Sequence, residues 1–207
     1  CFFFDDQGGF LESYYLVGLF AQHFLKQGPA TICYDPRLTW NTIEVVEQAG
    51  GTPMLCPTGH VFFKQKLRES GALYGGEMSG HHYFQQFGCC DSGVFPWLLW
   101  LQMQAQSPLP LSQVLQERAQ RFPVSGEINR SVKDQSKVLQ AIRQRYQDQA
   151  IASWDLDGVS YDFEKWRFNL RSSNTEPLIR LNVESRGDAD LVAARSQEIL
   201  QLVDESS

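Results

Sequence analysis

No apolar run in this chain approaches the roughly 18 residues that a membrane-spanning helix needs. With Lys+Arg 18 against Asp+Glu 24, there is no basic excess to coat a nucleic acid either. A helical membrane anchor and a broad nucleic-acid surface are thereby excluded, although a small local cluster of Arg, Lys and His could still hold an anion. Cysteine is scarce and irregular. Five residues, without a repeated spacing or a secretory leader, point to reduced thiols and a cytoplasmic setting. Cys33 and Cys56 fall in apolar runs and read as core, while adjacent Cys89 and Cys90 are badly placed to bridge each other. Position 1 holds Cys1 inside a strand-like run (CFFFDD) and not methionine, as in a piece of a longer protein.

What is present, 207 residues with 43% apolar and 20% charged content, is enough for two compact domains. Phe2 to Phe4 and Phe10 to Leu11 flank a turn in which Asp5 and Asp6 read as turn residues in preference to metal ligands, and a helix is expected over 13–25. From Ala30 the pattern becomes regular: an apolar run (TICY), a helix over 39–49 stopped by Gly50 and Gly51, a second run (PMLC), a helix over 61–69, and a short strand (ALY). Such alternation predicts parallel strands whose carboxyl ends share one edge, where ligands bind in open α/β folds. Three polar loops fall there: Asp35-Pro36-Arg37, Thr58-Gly59-His60, and Gly76 to His82.

The stretch GGEMSGHH is the richest of these. Its leading pair of glycines is expected to let the backbone turn tightly and approach a ligand. Glu77 could accept two hydrogen bonds from vicinal hydroxyls, Ser79 could donate or accept, and an imidazole such as His81 could move a proton near neutral pH. This set suits a polyhydroxylated ligand. The same neighbourhood also allows a metal reading on His60, His81, His82, Glu77 and Cys89 or Cys90, though the spacings match no zinc framework. A strand (YFQQF) follows, then a helix begun by Asp91 or Ser92 whose Trp97 to Trp100 stretch reads as buried core, a break at Ser107–Pro110, and a helix over 111–121.

After Pro123 the pattern changes to α+β. Val138, Leu139, Ile142 and Tyr146 have helical spacing, as do Leu191, Val192, Ile199, Leu200 and Val203 in a last helix that Asp188 or Asp190 could cap. Between them lie two alternating strands, with Trp166, Phe168 and Leu170 on one side of the first and Arg167, Asn169 and Arg171 on the other. They are joined by Ser172–Pro177. Arg171, Ser173, Asn174, Thr175 and the N–H groups of a tight turn could close around a phosphate; an ordinary polar hairpin would have the same composition.

Taken together, YDPR, TGH, GEMSGHHYF and RSSNTEP, in this order and spacing, resemble the C-terminal half of bacterial phosphomannomutases of the α-D-phosphohexomutase family, and the resemblance runs essentially end to end. It implies the end of a truncated second domain over 1–8, a mixed-sheet α/β sugar-binding third domain with helices on both faces over 9–122, and a smaller α+β phosphate-binding fourth domain over 123–207. It also implies an isomerase that interconverts mannose 6-phosphate and mannose 1-phosphate. The route passes through an enzyme phosphoserine and a hexose 1,6-bisphosphate intermediate, with Mg2+ held by an aspartate-rich loop. Such a cytoplasmic enzyme would feed GDP-mannose synthesis.

Carried over residue by residue, Glu77 and Ser79 would contact sugar hydroxyls, and His81 would transfer a proton. Arg37 and His60 would add contacts, and Arg171, Ser173, Asn174 and Thr175 would hold the phosphate that is not being transferred. No residue of the chain is assigned to the metal. Pro57 departs from the family, where lysine commonly precedes TGH. Neither the serine loop nor the metal loop is in the chain, so the fragment is expected to be inactive without the missing N-terminal domains. A non-catalytic sugar-phosphate binding module, and glucose in place of mannose specificity, are compatible with the same residues.

Overall fold

The computed structural model describes residues 1–5, 7–173 and 176–207. It divides into two compact units, Cys1–Ala119 and Gln120–Ser207. In the first, β1 (Phe3–Phe4) and β2 (Phe10–Leu11) form a hairpin, and α1 (Ser13–Leu25) follows. The Asp5 carboxylate closes the hairpin turn by accepting hydrogen bonds from the N–H groups of Gln7 and Gly9. The alternating pattern then produces β3 (Thr31–Tyr34), α2 (Trp40–Gln48), β4 (Thr52–Leu55), α3 (His60–Ser70) and β5 (Tyr74–Gly76). It ends with β6 (His82–Phe84), β7 (Cys90–Asp91), α4 (Val94–Gln106) and α5 (Leu111–Arg121). The sheet order is β4-β3-β5-β6-β7; β4 and β5 run parallel to β3, whereas β6 and β7 are antiparallel.

Gly75 and Gly76 are not turn residues. They are the last residues of β5, paired with Tyr83 and His82 of β6, and the turn lies beyond them with Gly80 at φ +82°. Their lack of a side chain answers to packing. Successive residues of a strand face opposite sides. A Cβ on Gly75 would sit 2.9 Å from Leu67 and 3.0 Å from Phe63 of α3, and one on Gly76 would sit 2.5 Å from Val17 of α1. Helices thus press on both faces of the sheet where β5 ends, which leaves no room for a Cβ on either side.

Two further expectations are corrected in this unit. The run YFQQF is a strand only to Phe84; Gln85–Phe87 coil into a 3-10 turn closed by Gly88 in the left-handed region. The α4 helix is not buried: Trp97, Leu98 and Leu101 are 52%, 48% and 46% exposed, while Pro96 and Met103 face inward. Its apolar residues run all round the helix, and one helix can turn only part of that circumference toward a core. Ser92 accepts hydrogen bonds from the N–H groups of Val94 and Phe95 at its start, while Asp91 belongs to β7. All five cysteines are free thiols, with Cys33, Cys56 and Cys89 buried.

The second unit contains β8 (Ile128–Ser131), α6 (Gln135–Tyr146), β9 (Ala152–Trp154), β10 (Val159–Asp162), β11 (Trp166–Ser172), β12 (Leu178–Ser185) and α7 (Ala189–Ser206). Its sheet is antiparallel in the order β8-β12-β11-β10-β9, so three short strands join the two expected from alternation. Trp166, Phe168 and Leu170, with Ile179, Leu181 and Val183, form a core with Val138 and Ile142 of α6 and Val192 and Ile199 of α7. Asp134 and Asp188 cap the two helices through the N–H groups of Lys137 and Leu191. The opposite side of β11 and β12 is polar yet also buried, with Arg167 held between Asp162 and Glu184 at 2.7 and 3.1 Å. No helix among the described residues is long and apolar enough to cross a membrane.

Candidate functional site

The parallel strands deliver the segments after β3, β4 and β5 to one edge of the sheet, and a buried charge network ties them together. Asp35 accepts the Arg37 N–H, Nε and Nη2 at 2.9, 3.1 and 2.8 Å, and also the N–H of Met78 at 2.8 Å. Arg37 Nη2 reaches Ser79 Oγ at 3.3 Å and Glu77 Oε2 at 3.5 Å. Glu77 Oε2 accepts the Gly59 N–H at 3.2 Å, and Oε1 accepts the Tyr83 hydroxyl at 2.6 Å. Asp35, Arg37 and Glu77 are only 3%, 3% and 2% exposed. Burial pushes the Glu77 carboxyl above its ordinary range, opposed by the Tyr83 hydrogen bond and the Arg37 charge. Arg37 and Glu77 therefore stand behind the surface as its framework, and the groups presented to solvent are Ser79, His60 and His81.

His60 opens α3 directly after Gly59, whose φ of +120° gives the chain its entry into the helix. Its ring lies edge-on to His81, with centroids 4.5 Å apart. Asp91, which the register of β6 and β7 places opposite Tyr83, binds His81 Nδ1 through Oδ2 at 2.9 Å and the His82 N–H through Oδ1 at 2.9 Å. Burial alone would raise the Asp91 carboxyl, but the hydrogen bonds from His81 and His82 outweigh it and hold the pKa below its ordinary value. A carboxylate on Nδ1 places the ring proton there and leaves Nε2 as the basic nitrogen. His82 does not join this group. It is fully buried, bonded to the Tyr74 hydroxyl at 2.6 Å and packed on Phe20, and burial holds its pKa down at about 3.

The metal set drawn from sequence does not assemble: His82 and Cys89 point into cores and Glu77 is engaged by the network. Instead, His60, His81 and Asp91 bring ligand atoms within 4.8 Å of one another. That nitrogen-rich group suits no Mg2+, which prefers carboxylate and water oxygens. Asp5 is engaged by its turn and Asp6 lies outside the described residues.

In the second unit Arg171, next to last in β11, pairs with Glu127 at 3.0 Å, with Asp157 at 3.9 Å. The Ser173 N–H donates to Leu178 O, and Gln135 Nε2 holds the loop by donating to the carbonyls of Ser173, Glu176 and Leu178 at 3.2, 3.0 and 2.8 Å. Asn174 and Thr175 lie outside the described residues. Sequence reasoning assigned no site role to Asp35, Tyr83, Gln135 or Glu127, and read Asp91 only as a possible start of the next helix. Only Asp35 carried a local signal, its place beside Arg37; the others depend on strand register and helix docking.

Comparison with known proteins agrees with these two units. The family described as phosphoglucomutase/phosphomannomutase, alpha/beta/alpha domain III, matches residues 12–122, and its C-terminal domain matches residues 127–202. A protein named phosphohexose mutases from Xanthomonas campestris pv. campestris (strain B100) is 54% identical over 204 residues, which is 98% of this chain and 46% of the relative. The phosphomannomutase of Escherichia coli strain K12 is 48% identical over 206 residues, 99% of this chain and 45% of the relative. The crystal structure of a phosphoglucomutase/phosphomannomutase family protein from Burkholderia thailandensis superposes with a TM-score of 0.81 at 29% identity, covering 98% of this chain and 44% of that one. The chain thus spans a little under half the length of the curated relatives it matches. It belongs to the phosphoglucomutase/phosphomannomutase family, of which it carries the alpha/beta/alpha domain III and the C-terminal domain.

Proposed function

We propose that this chain supplies the sugar-binding and phosphate-binding loops of a phosphomannomutase that interconverts mannose 6-phosphate and mannose 1-phosphate. The observation that carries the reading is the network of Asp35, Arg37, Gly59, Glu77 and Tyr83, which fixes three loops at one sheet edge beside the His81 and Asp91 pair. In the proposed step a sugar hydroxyl attacks the phosphorus of an enzyme phosphoserine that lies outside these residues. The new O–P bond forms, the bond to the serine oxygen breaks, and the hydroxyl proton passes to His81 Nε2. Asp91 stabilises the imidazolium that results. The hexose 1,6-bisphosphate then reverses and returns its other phosphate to the serine. Ser79 and His60 contact the sugar, while Arg171 and Ser173 hold the idle phosphate. Magnesium, held outside the described residues, would supply charge neutralisation at the transferring phosphate.

Thermal unfolding of the 207-residue chain with mannose 1-phosphate, with and without EDTA, tests this. A ligand at about 100 times its Kd adds roughly 2.7 kcal/mol of stability. The expected result is an EDTA-insensitive shift that Ser79→Ala and Arg171→Ala each diminish. No shift in the parent chain, or a melt that EDTA lowers without ligand, would overturn the reading, the latter in favour of a metal on His60, His81 and Asp91. The chain alone should show no mutase turnover.

A further inference from the structure

His60, His81 and Asp91 arrive from three different elements: the first residue of α3, the turn between β5 and β6, and the last residue of β7. One ligand atom from each lies within 4.8 Å of the other two, and no other such group occurs among the described residues. Two of the three are already oriented for coordination. Asp91 Oδ1 accepts the His82 N–H at 2.9 Å, which leaves Oδ2 aimed at His81 Nδ1, also 2.9 Å away. A ligating carboxylate ordinarily has an outer hydrogen-bond partner of this kind. Two ligands each about 2.0 Å from one tetrahedral ion stand about 3.3 Å apart, so the pair needs only a small opening to share one. His60 is exposed, with its ring centroid 4.5 Å from that of His81, and rotation of its side chain closes the remaining gap. Two imidazoles and one carboxylate, with the fourth position left to water, match zinc and its late first-row neighbours.

We propose that these residues form an exchangeable site for zinc, and that the bound ion switches His81 off as a base. The metal takes the place of the proton on Nδ1. A neutral imidazole that carries a metal on Nδ1 carries its proton on Nε2, so exchange with solvent moves the proton from one nitrogen to the other with no net gain or loss. Nε2 is then a donor and can no longer accept a proton from a hydroxyl. The ion is a visitor and not a resident cofactor: a chain freed of it keeps its fold, because Asp91 is already bonded to His81 and His82. The site stands on geometry alone, while its effect on turnover rests on the role of His81 proposed above.

Calorimetric titration of the 207-residue chain with zinc chloride, after treatment with EDTA and dialysis, tests the site. The expected result is a single equivalent of zinc, bound about tenfold or more weakly by His60→Ala and by Asp91→Asn, with no binding of magnesium chloride. Cys1 and Cys90, the thiols that are not buried, are the rival ligands. Cys1→Ser and Cys90→Ser should leave zinc binding unchanged, and cobalt in place of zinc should show no thiolate charge-transfer band. Nitrogen chemical shifts should report His81 Nε2 changing from unprotonated to protonated as zinc is added. Circular dichroism melts confirm that each variant is folded. Zinc binding undiminished in His60→Ala and Asp91→Asn, or a thiolate band with cobalt, overturns the site. An Nε2 that stays unprotonated in the zinc-bound chain overturns the switch. Zinc binding as expected in a chain that fails to bind mannose 1-phosphate removes the sugar reading and leaves the metal site standing.

Discussion

The joined end of β5 and β6 and the joined end of β11 and β12, each an antiparallel pair, are built in opposite ways. The first is closed from within. Its one acid, Glu77, and Asp35 from the loop after β3 face Arg37 and backbone N–H groups, and the network is buried. The second gathers two arginines onto one carboxylate at a partly exposed edge, with donors to spare. Directional contact with hydroxyls rewards rigidity, because a misplaced partner loses most of the hydrogen bond. Capture of a phosphate rewards uncancelled positive charge. In the proposed function the two loops divide these tasks.

The sharpest test of that division is to break each carboxylate. Glu77→Ala should cost about 3 kcal/mol or more in urea unfolding, since it removes one member of a buried ion network and strands the Tyr83 hydroxyl. Glu127→Ala, at a partly exposed pair, should cost under about 1 kcal/mol. Equal costs would erase the distinction. Gly76→Ala comes next at about 2 kcal/mol, from forcing a methyl against Val17. Its effect should fall on the first unit alone, as a lowered midpoint there.

Acid should also separate the units. The folded-state pKa of His82 is held near 3, below its unfolded value of about 6.5, so between those values the unfolded chain binds the extra proton. The stability contributed by neutral His82 is complete above about pH 6.5 and is lost as pH falls toward 3. Unfolding of the first unit followed from pH 7.5 to 4.5 should show this decline, and His82→Gln should flatten it; an unflattened decline would assign the sensitivity elsewhere. Asp91→Asn should also cost little, about 1 kcal/mol of stability. Its signature is in the His81 ring, where nitrogen chemical shifts should report loss of the single tautomer that the carboxylate selects.

Much of the frame was legible because it is written in local patterns: apolar runs of four, helix-spaced residues, and glycines after helices located β3, α2, β4 and α3 to within a residue or two. The leading glycine pair of GGEMSGHH was misread. A glycine in a turn and a glycine in a crowded strand are the same letter, and only Val17 and Leu67, contributed by helices packed on the two faces of the sheet, tell them apart. Burial of Trp97 and Leu98 was misread for a related reason, since hydrophobicity states what a side chain prefers and not which face the helix turns inward. Asp91 was read as a helix start and not as the partner of His81, because that link is a matter of register and short strands such as β7 leave almost no periodicity to read.

The glycine pair also bears on how such a site can be inherited or transplanted. Residues 77–81 sit where they do because α1 and α3 pinch the strand that leads into them. Copying that pentapeptide onto another hairpin would carry its side chains without their address. The movable unit is therefore the pair of helices with their sheet. Variation among relatives can change what the loop displays far more readily than where it is displayed.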